Sequence, residues 1–428
     1  MDDKEYRVEK HIIGKNNPLW NKCDNLCFFS KNLYNATLYA VRQHYFTTKE
    51  YLCYEDVYDR FVKERNLDYC AMNSKVAQAT MKLVDQNFKS FFALLKKPEC
   101  KDNARIPKYL HKTNGRQVAH FSNQAFSFNS NRVPNGHIKL GKTGIVFNTN
   151  VKEPVFVEVT KGSNDVYFII VGYYANKQEQ VISDNYAAID LGVNNLATVS
   201  FTNGKPFIIN GRPLKSINQF YNKTIAKLQS KQDNYINSVK AVDKDKAKTI
   251  SKRTNRMKSI TQKRNNKIDT FMHRASHLIV NQLVSRNISK LIIGYNKYWK
   301  QGINLGDKNN QNFVQIPFLK FVEMLQYKCA DVGIEVILRE ESYTSKSSFI
   351  DGDEIPTYGT ENNDFKPSGN RRYRGLYFSK ENIPINGDLN GSLNILRKYL
   401  QESEKINIYD IIDPVVVCST PLVFTIKV

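Results

Sequence analysis

The chain has 428 residues, 41% hydrophobic and 24% charged, a composition that excludes a disordered polymer and allows two or three domains with proper cores. Lys and Arg number 63 against 41 Asp and Glu, a formal net charge of +22, which calls for a polyanionic partner such as nucleic acid or an acidic membrane. No apolar run approaches the ~18 residues of a membrane span, and the first residues lack the apolar core of a signal peptide. The expectation is therefore an intracellular, nucleic-acid-facing protein with no membrane partner.

Residues 5–14 read as a strand, ended by Asn16-Asn17-Pro18. From Leu19 to Phe46 apolar residues recur at helical spacing, among them Cys23, Leu26, Leu33, Leu38 and Val41. Lys75 to Leu95 predicts a second long helix with Ser74 as its N-cap. The block from about 19 to 97 is thus helical. The seven cysteines are odd in number and scattered without a C-x2-C pair, so neither a disulfide framework nor a four-Cys zinc site is expected. His273 and His277 lie four apart, but no Glu stands beside His273 as a zinc protease helix requires.

Short β-rich runs follow between Gly, Asn and Pro: 126–128, 138–140, 144–147, 155–159 and 166–171. The last two flank Lys161 to Asp165, a hairpin turn. Strands at this spacing suggest a small barrel, completed by the N-terminal strand, with the helical block inserted. Tyr186 to Ser200 then reads as a buried hairpin carrying one carboxylate, Asp190, followed by Gly192. A charge in such a place costs several kcal/mol unless something pairs with it, and a bound cation is the natural partner.

Residues 216–274 hold 15 Lys and Arg against 4 Asp, with periodic apolar residues, and predict two long helices joined near Asp243 to Asp245. That excess, including Lys252, Arg253 and Arg256, suits contacts with a phosphate backbone, each displacing a counterion. Lys290–Ile293 and Gly333–Leu338 read as buried strands separated by an amphipathic helix over 315–329, a strand–helix–strand unit of an α/β layer. Residues 342–386 are polar and lack a long periodic run. Asp388 opens a final helix on which Asn390 and Asn394 share a face. The tail after Leu400 reads as peripheral.

The two motifs Ala188-Ile-Asp-Leu-Gly-Val-Asn-Asn-Leu-Ala-Thr198 and Ile385-Asn-Gly-Asp-Leu-Asn-Gly-Ser-Leu-Asn-Ile-Leu-Arg-Lys398 resemble the first and last motifs of the RuvC-like nuclease domain of TnpB (OrfB) proteins. Those proteins are similar to Fanzor proteins and to compact type V CRISPR effectors. The resemblance implies a wedge β-barrel (1–15 and 105–185) interrupted by a helical recognition domain (16–104). It further implies an RNase H-like nuclease domain with an inserted helical hairpin (186–341 and 386–428) and a target-strand loading segment (342–385). The implied activity is RNA-guided DNA cleavage beside a short DNA motif, with sequence choice left to base pairing. The partners would be a guide RNA, double-stranded target DNA and the guide–target heteroduplex, held by a monomeric ribonucleoprotein.

Such hydrolysis uses two Mg²⁺ ions about 3.5–4 Å apart, held by carboxylates. Asp190 and Asp388 occupy the family's outer positions. The middle strand, however, ends in Gly294 rather than Glu. A branch of the family carries its Glu just before a Thr-Ser pair, and here Arg339-Glu340-Glu341 precedes Thr344-Ser345. Glu341, three before Thr344 and on one face with Ile337 and Arg339, matches that relocated Glu. Glu340, on the opposite face with Val336 and Leu338, is the alternative. Asn390 and Asn394 are candidates to orient a ligand from behind. Many relatives also carry two C-x2-C pairs in the segment after the middle motif. Residues 342–387 contain no Cys, so no structural zinc is expected there. Arg371, Arg372 and Arg374 around Tyr373 suit a single strand passing the site. Lys82, Lys89, Lys108, Tyr109 and Arg116 are further candidate nucleic-acid contacts. Two rivals remain: a guided DNA-binding protein that does not cut, favoured by Gly294 lacking a carboxylate, and a strand-joining transposase or its accessory, for which no paired-histidine context around a nucleophilic Tyr is visible.

Overall fold

A computed structural model describes residues 4–131, 133–295, 315–356, 365–373, 375–414, 418 and 421–427. They form two units, Met1–Asn176 and Lys177–Val428.

In the first unit, β1 (Lys4–Ile13) pairs antiparallel along its whole length with β7 (Tyr167–Asn176). Helices α1 (Trp20–Thr48), α2 (Tyr54–Lys63), α3 (Leu67–Cys70) and α4 (Ser74–Leu95) follow β1. The predicted cap is displaced by one residue. Asn73, not Ser74, is the N-cap of α4, and its side chain accepts a hydrogen bond from the Lys75 amide at 3.0 Å. Next come β2 (Ala119–Ser122), β3 (Phe126–Phe128), β4 (His137–Leu140), β5 (Val146–Asn148) and β6 (Pro154–Lys161). Among the described residues the strands pair in two sheets, β1-β7-β6-β2 and β3-β4-β5, with no hydrogen-bonded ladder joining them into one barrel. Alternation along β6 and β7 turns Val157, Val159, Ile169 and Val171 inward. These residues share one core with Leu33 and Leu38 of α1 and Val76, Val84 and Phe88 of α4. Helices and sheet therefore bury each other.

An ion pair ties this unit together. Asp24 of α1 accepts two hydrogen bonds from Arg116, from Nε and from an Nη, each at 2.8 Å, and one from the Tyr167 hydroxyl of β7. The Arg116 guanidinium also lies over the Phe28 ring. Its side chain is 14% exposed, and most of its donors are spent on Asp24 and on nearby carbonyls. The candidates Lys82, Lys108 and Tyr109 are exposed, Tyr109 against the Arg42 guanidinium. Lys89 is exposed but ion-paired to Asp85 at 2.7 Å.

The second unit is built on a six-stranded sheet of order β12-β11-β8-β9-β10-β16. Its strands are β8 (Tyr186–Leu191), β9 (Asn195–Phe201), β10 (Phe207–Asn210), β11 (Lys290–Gly294), β12 (Glu335–Arg339) and β16 (Leu422–Phe424). β8, β11 and β12 run parallel, while β9 is antiparallel to both β8 and β10. Both faces are covered, as parallel strands require. On one face Ala187, Ile189, Leu291 and Ile293 pack with α7 (Asn255–Ser285) and α8 (Phe318–Ala330). On the other, Ala188 and Ile292 pack with α9 (Gly387–Tyr399).

The predicted helical pair over 216–274 is α5 (Arg212–Val242) and α7, with a short α6 (Lys244–Thr249) at the join, capped by Asp243. Of its 31 residues α5 buries only Leu214 and Asn218, and Lys252 and Arg253 just before α7 and Arg256 in its first turn are exposed. The tail is not peripheral: β16 adds a parallel strand beside β10, and Ile408 and Ile426 enter the two cores. Between β12 and α9 lies a three-stranded sheet of β13 (Asn370–Tyr373), β14 (Leu376–Phe378) and β15 (Pro384–Asn386). Side-chain hydrogen bonds hold this segment. Asp353 accepts from the amides of Ser348 and Ser368 at 2.8 and 3.0 Å, Asp351 accepts from the Lys380 amide at 2.9 Å, and the buried Arg397 reaches the Asp353 carbonyl and the Tyr409 hydroxyl. Arg374 lies outside the described residues. Among the described residues no helix is long and apolar enough to cross a membrane.

The Asp24 knot sets a test. The Arg116 hydrogen bonds hold the Asp24 carboxyl below the ordinary range, overcoming its burial. A carboxyl lowered in the folded state contributes stability above the unfolded value near 3.9 that is lost as pH falls through the folded value. Asp24→Asn should therefore destabilise the protein by about 2–3 kcal/mol at pH 7, since it leaves a largely buried guanidinium without its carboxylate. In urea melts, that difference should narrow below pH 4.

Candidate active site

Three carboxylates converge at one end of the sheet in the second unit. Strand register explains the first two. Tyr186, Ala188 and Ile292 line the α9 face, and alternation carries Asp190 and Gly294 to the same face. Ile293 pairs with Ile189, so Gly294, the next residue, stands level with Asp190. A side chain on β11 here would meet Asp190 directly, yet the residue is glycine. The reason lies one strand further. Gly294 pairs with Arg339, and the chain leaving β12 carries Glu341 back over the glycine. A Cβ at Gly294 would stand 2.7 Å from Glu341 Oε2 and 2.5 Å from Ile395 Cδ1. Gly391 of α9 makes the same kind of room: a Cβ there would stand 2.7 Å from Asp190 Oδ2.

Asp388 arrives from the first turn of α9. Asn386 caps that helix, accepting from the amides of Asp388 and Leu389 at 3.0 and 3.1 Å. The Asp388 carboxylate accepts from Asn195 Nδ2 at 2.7 Å and pairs with Arg371 at 3.1 Å. Arg371 lies against Gly387, where a Cβ would stand 2.7 Å from an Nη of its guanidinium.

The electrostatics follow. Burial, then the charges of Glu341 and Asp388, hold the Asp190 carboxyl well above its ordinary range, with Arg371 pulling the other way. Burial, then Glu340, pushes Glu341 up to about 7. Glu340 behaves oppositely. Hydrogen bonds from Ser342 and Lys398 outweigh its burial and lower it, with the Ser342 amide at 2.8 Å and Lys398 Nζ at 3.1 Å. Glu341, not Glu340, is thus the acid beside Asp190. Like charges buried together want a cation, and a set of carboxylate oxygens suits a hard divalent one. Among the described residues, no three His, Cys, Asp or Glu side chains are placed together to hold a metal ion, and Asp388 is engaged by Arg371 and Asn195.

Among the described residues, Asn390 and Asn394 bond the loop after Glu341, not the carboxylates. Asn390 accepts from the Phe349 amide at 2.9 Å and donates to the Ser347 carbonyl at 2.8 Å. Asn394 donates to the carbonyls of Thr344 and Ser347 at 2.9 and 2.7 Å. They clamp the loop after Glu341, whose own carbonyl accepts from the Thr344 hydroxyl at 2.7 Å. Their part in the site is to hold that loop down on α9. Asn195, Gly294 and Gly391 were not among the sequence candidates. Gly391 had a legible signal, since a glycine inside a helix costs about 1 kcal/mol relative to Ala and so marks a close approach.

Asp388 opens into a cleft of about 890 Å³, lined also by Asn194, Asn195, Asn210, Arg212, Arg371, Arg372 and Tyr373. Arg371, Arg372 and Tyr373 are exposed, with Arg372 over the Phe378 ring at 4.7 Å. The cleft is basic and amide-rich, with one aromatic at its rim.

Residues 155–300 match the model of the OrfB_IS605 family, described as a probable transposase, and residues 318–395 match that of the Cas12f1-like TNB domain. The chain is 24% identical over 219 residues to the TnpB-like protein ORF457 of Acidianus two-tailed virus, a stretch covering 50% of this chain and 41% of that protein. Among solved structures it is similar to Cas12f1 in a complex with sgRNA and target DNA, with 12% identity, 88% of this chain and 82% of that one covered, and a TM-score of 0.45. It is also similar to the mini-RNA-guided endonuclease CRISPR-Cas_phi3, with 11% identity, 92% of each chain covered and a TM-score of 0.41.

Two variants test the geometry. A carboxyl raised in the folded state is penalised when ionised, so stability falls as pH rises from the unfolded value near 4.3 to the folded value. Glu341→Gln should leave the unfolding temperature unchanged near pH 4 and raise it above pH 7, measured in chelator. Gly294→Ala should cost about 1–3 kcal/mol by overpacking against Ile395 and displacing Glu341, read by urea denaturation.

Proposed function

We propose that this chain, which carries the OrfB_IS605 and Cas12f1-like TNB segments of the TnpB group, is an RNA-guided DNA endonuclease with one RNase H-like active site. The observation that carries this reading is the like-charge cluster of Asp190, Glu341 and Asp388 at the end of β8, the exit of β12 and the start of α9. Bound Mg²⁺, two ions in such sites, would supply Lewis acidity and a nucleophilic hydroxide at neutral pH.

The chain's own residues do the rest. Asp190, Glu341 and Asp388 offer the oxygen donors. Asn195 and Arg371 hold Asp388. Arg212, Arg371 and Arg372 present guanidiniums to the backbone of a single strand in the cleft, and Tyr373 offers a stacking face. The segment 342–385 would load that strand, its fold kept by Asp351, Asp353 and Arg397. The exposed Lys82, Lys89, Lys108 and Tyr109 of the first unit and Lys252, Arg253 and Arg256 of the second suit the guide RNA and the guide–target heteroduplex. A guided binder that does not cut drew its support from Gly294 lacking a carboxylate; Glu341 lying over that glycine supports cleavage instead.

In plasmid cleavage by the purified ribonucleoprotein with Mg²⁺, Asp190→Ala, Glu341→Ala and Asp388→Ala should each lose at least about 100-fold in rate. Target binding should persist, and Glu340→Ala should cut. Wild-type cutting by all three variants would overturn the assignment. Replacing Lys252, Arg253 and Arg256 together by Gln should weaken guide RNA binding. It should also flatten the slope of log affinity against log salt by about one for each phosphate no longer neutralised.

A further inference from the structure

Thr198 of β9 is fully buried and its hydroxyl has no hydrogen-bond partner among the described residues. Its place is specific. β8 and β9 are antiparallel, and Asp190 stands directly opposite Thr198. Thr198 shares a face with Ser200, whose hydroxyl meets that of Ser392 on α9 at 2.8 Å. Asp190 shares a face with Ala188, which is buried against the same helix. Thr198 and Asp190 therefore both point at α9, side by side. Residues directly opposite on antiparallel strands hold their Cβ atoms about 4.5–5.5 Å apart, so a threonine hydroxyl reaches a carboxylate there by rotating about one bond.

The two groups lack complementary things. A buried hydroxyl without a partner is costly and rare in a folded protein. Asp190 accepts no hydrogen bond among the described residues, though an ionised carboxylate has about four lone-pair sites to fill. Gly391 closes one side of that carboxylate, with the position of a Cβ only 2.7 Å from Oδ2. On the cross-strand side, the hydroxyl of Thr198 is the donor that the register supplies. A carboxylate that must hold a cation is normally oriented by hydrogen bonds to its other lone pairs.

We infer that Thr198 is a positioning residue for Asp190: its hydroxyl donates to the Asp190 carboxylate in the cation-binding state and fixes which oxygen is presented. The inference rests on the reading of Asp190 as a metal ligand. It explains why a hydroxyl is kept at a place where valine has the same shape and needs no partner.

The test compares wild type with Thr198→Val, Thr198→Ser and Asp190→Ala. Two readouts are taken: calorimetric titration of the full-length protein with Mn²⁺, and the Mg²⁺ concentration for half-maximal plasmid cleavage by the ribonucleoprotein. Thr198→Val should bind Mn²⁺ about 3- to 10-fold more weakly and need correspondingly more Mg²⁺. Its unfolding temperature in chelator should equal or exceed that of wild type. Thr198→Ser should restore both cation readouts. Unchanged cation readouts in Thr198→Val, or no rescue by Thr198→Ser, would overturn the inference. A lower unfolding temperature of Thr198→Val in chelator would also overturn it, by showing that the hydroxyl serves the fold. If Asp190→Ala binds Mn²⁺ and cuts like wild type, it is the active-site reading that fails.

Discussion

Burying like charges together is the constraint on which the second unit is organised. Asp190 and Glu341 sit where neither is comfortable ionised, and Asp388 faces the same cleft. No arrangement of apolar residues would choose this. The surroundings make space for the acids instead of filling it. Glycines at 294 and 391 remove the side chains that would occupy the cluster, and Asn390 and Asn394 clamp the loop that delivers Glu341. Such a cluster costs folding stability and keeps a strong field in place.

Gly294 and Glu341 show how one strand end can be filled by a side chain from the next strand. The end of β11 is the place nearest Asp190 on the parallel sheet. A glutamate there and one arriving from beyond β12 cannot both occupy the same volume. Once Glu341 takes it, position 294 has room for glycine alone, so the two residues form one feature read on adjacent strands. Asp388 completes the cluster from a different layer, held by the first side chain of β9, Asn195, and one of the small sheet before α9, Arg371. Arg371 therefore links the small sheet before α9 to the carboxylates.

Much of the charge read from composition has a structural address. Arg116 is sequestered by Asp24 and Tyr167, and Lys89 is paired, whereas Lys252, Arg253 and Arg256 stand exposed. A long basic side chain looks the same in a sequence whether its neighbour is solvent or a carboxylate distant along the chain. Asp24 and Arg116 are 92 residues apart.

The amino-acid sequence by itself determined the elements and the outer acids. Periods of two and of about 3.6 separated strands from helices, and the motifs around Asp190 and Asp388 were readable because each is contiguous. It also narrowed the third acid to a pair of neighbours by alternation along β12. Only the tertiary structure shows that Glu341 lies over Gly294 while Glu340 meets Lys398 on α9. The same holds for the tail: Leu422–Phe424 is three residues with no pattern of its own, and it becomes a strand because β10 offers it an edge. It holds again for Asn195, which meets Asp388 across 193 residues. Local periodicity specifies which face a residue shares with its neighbours along the chain; what lies across that face is set by packing between segments far apart in sequence.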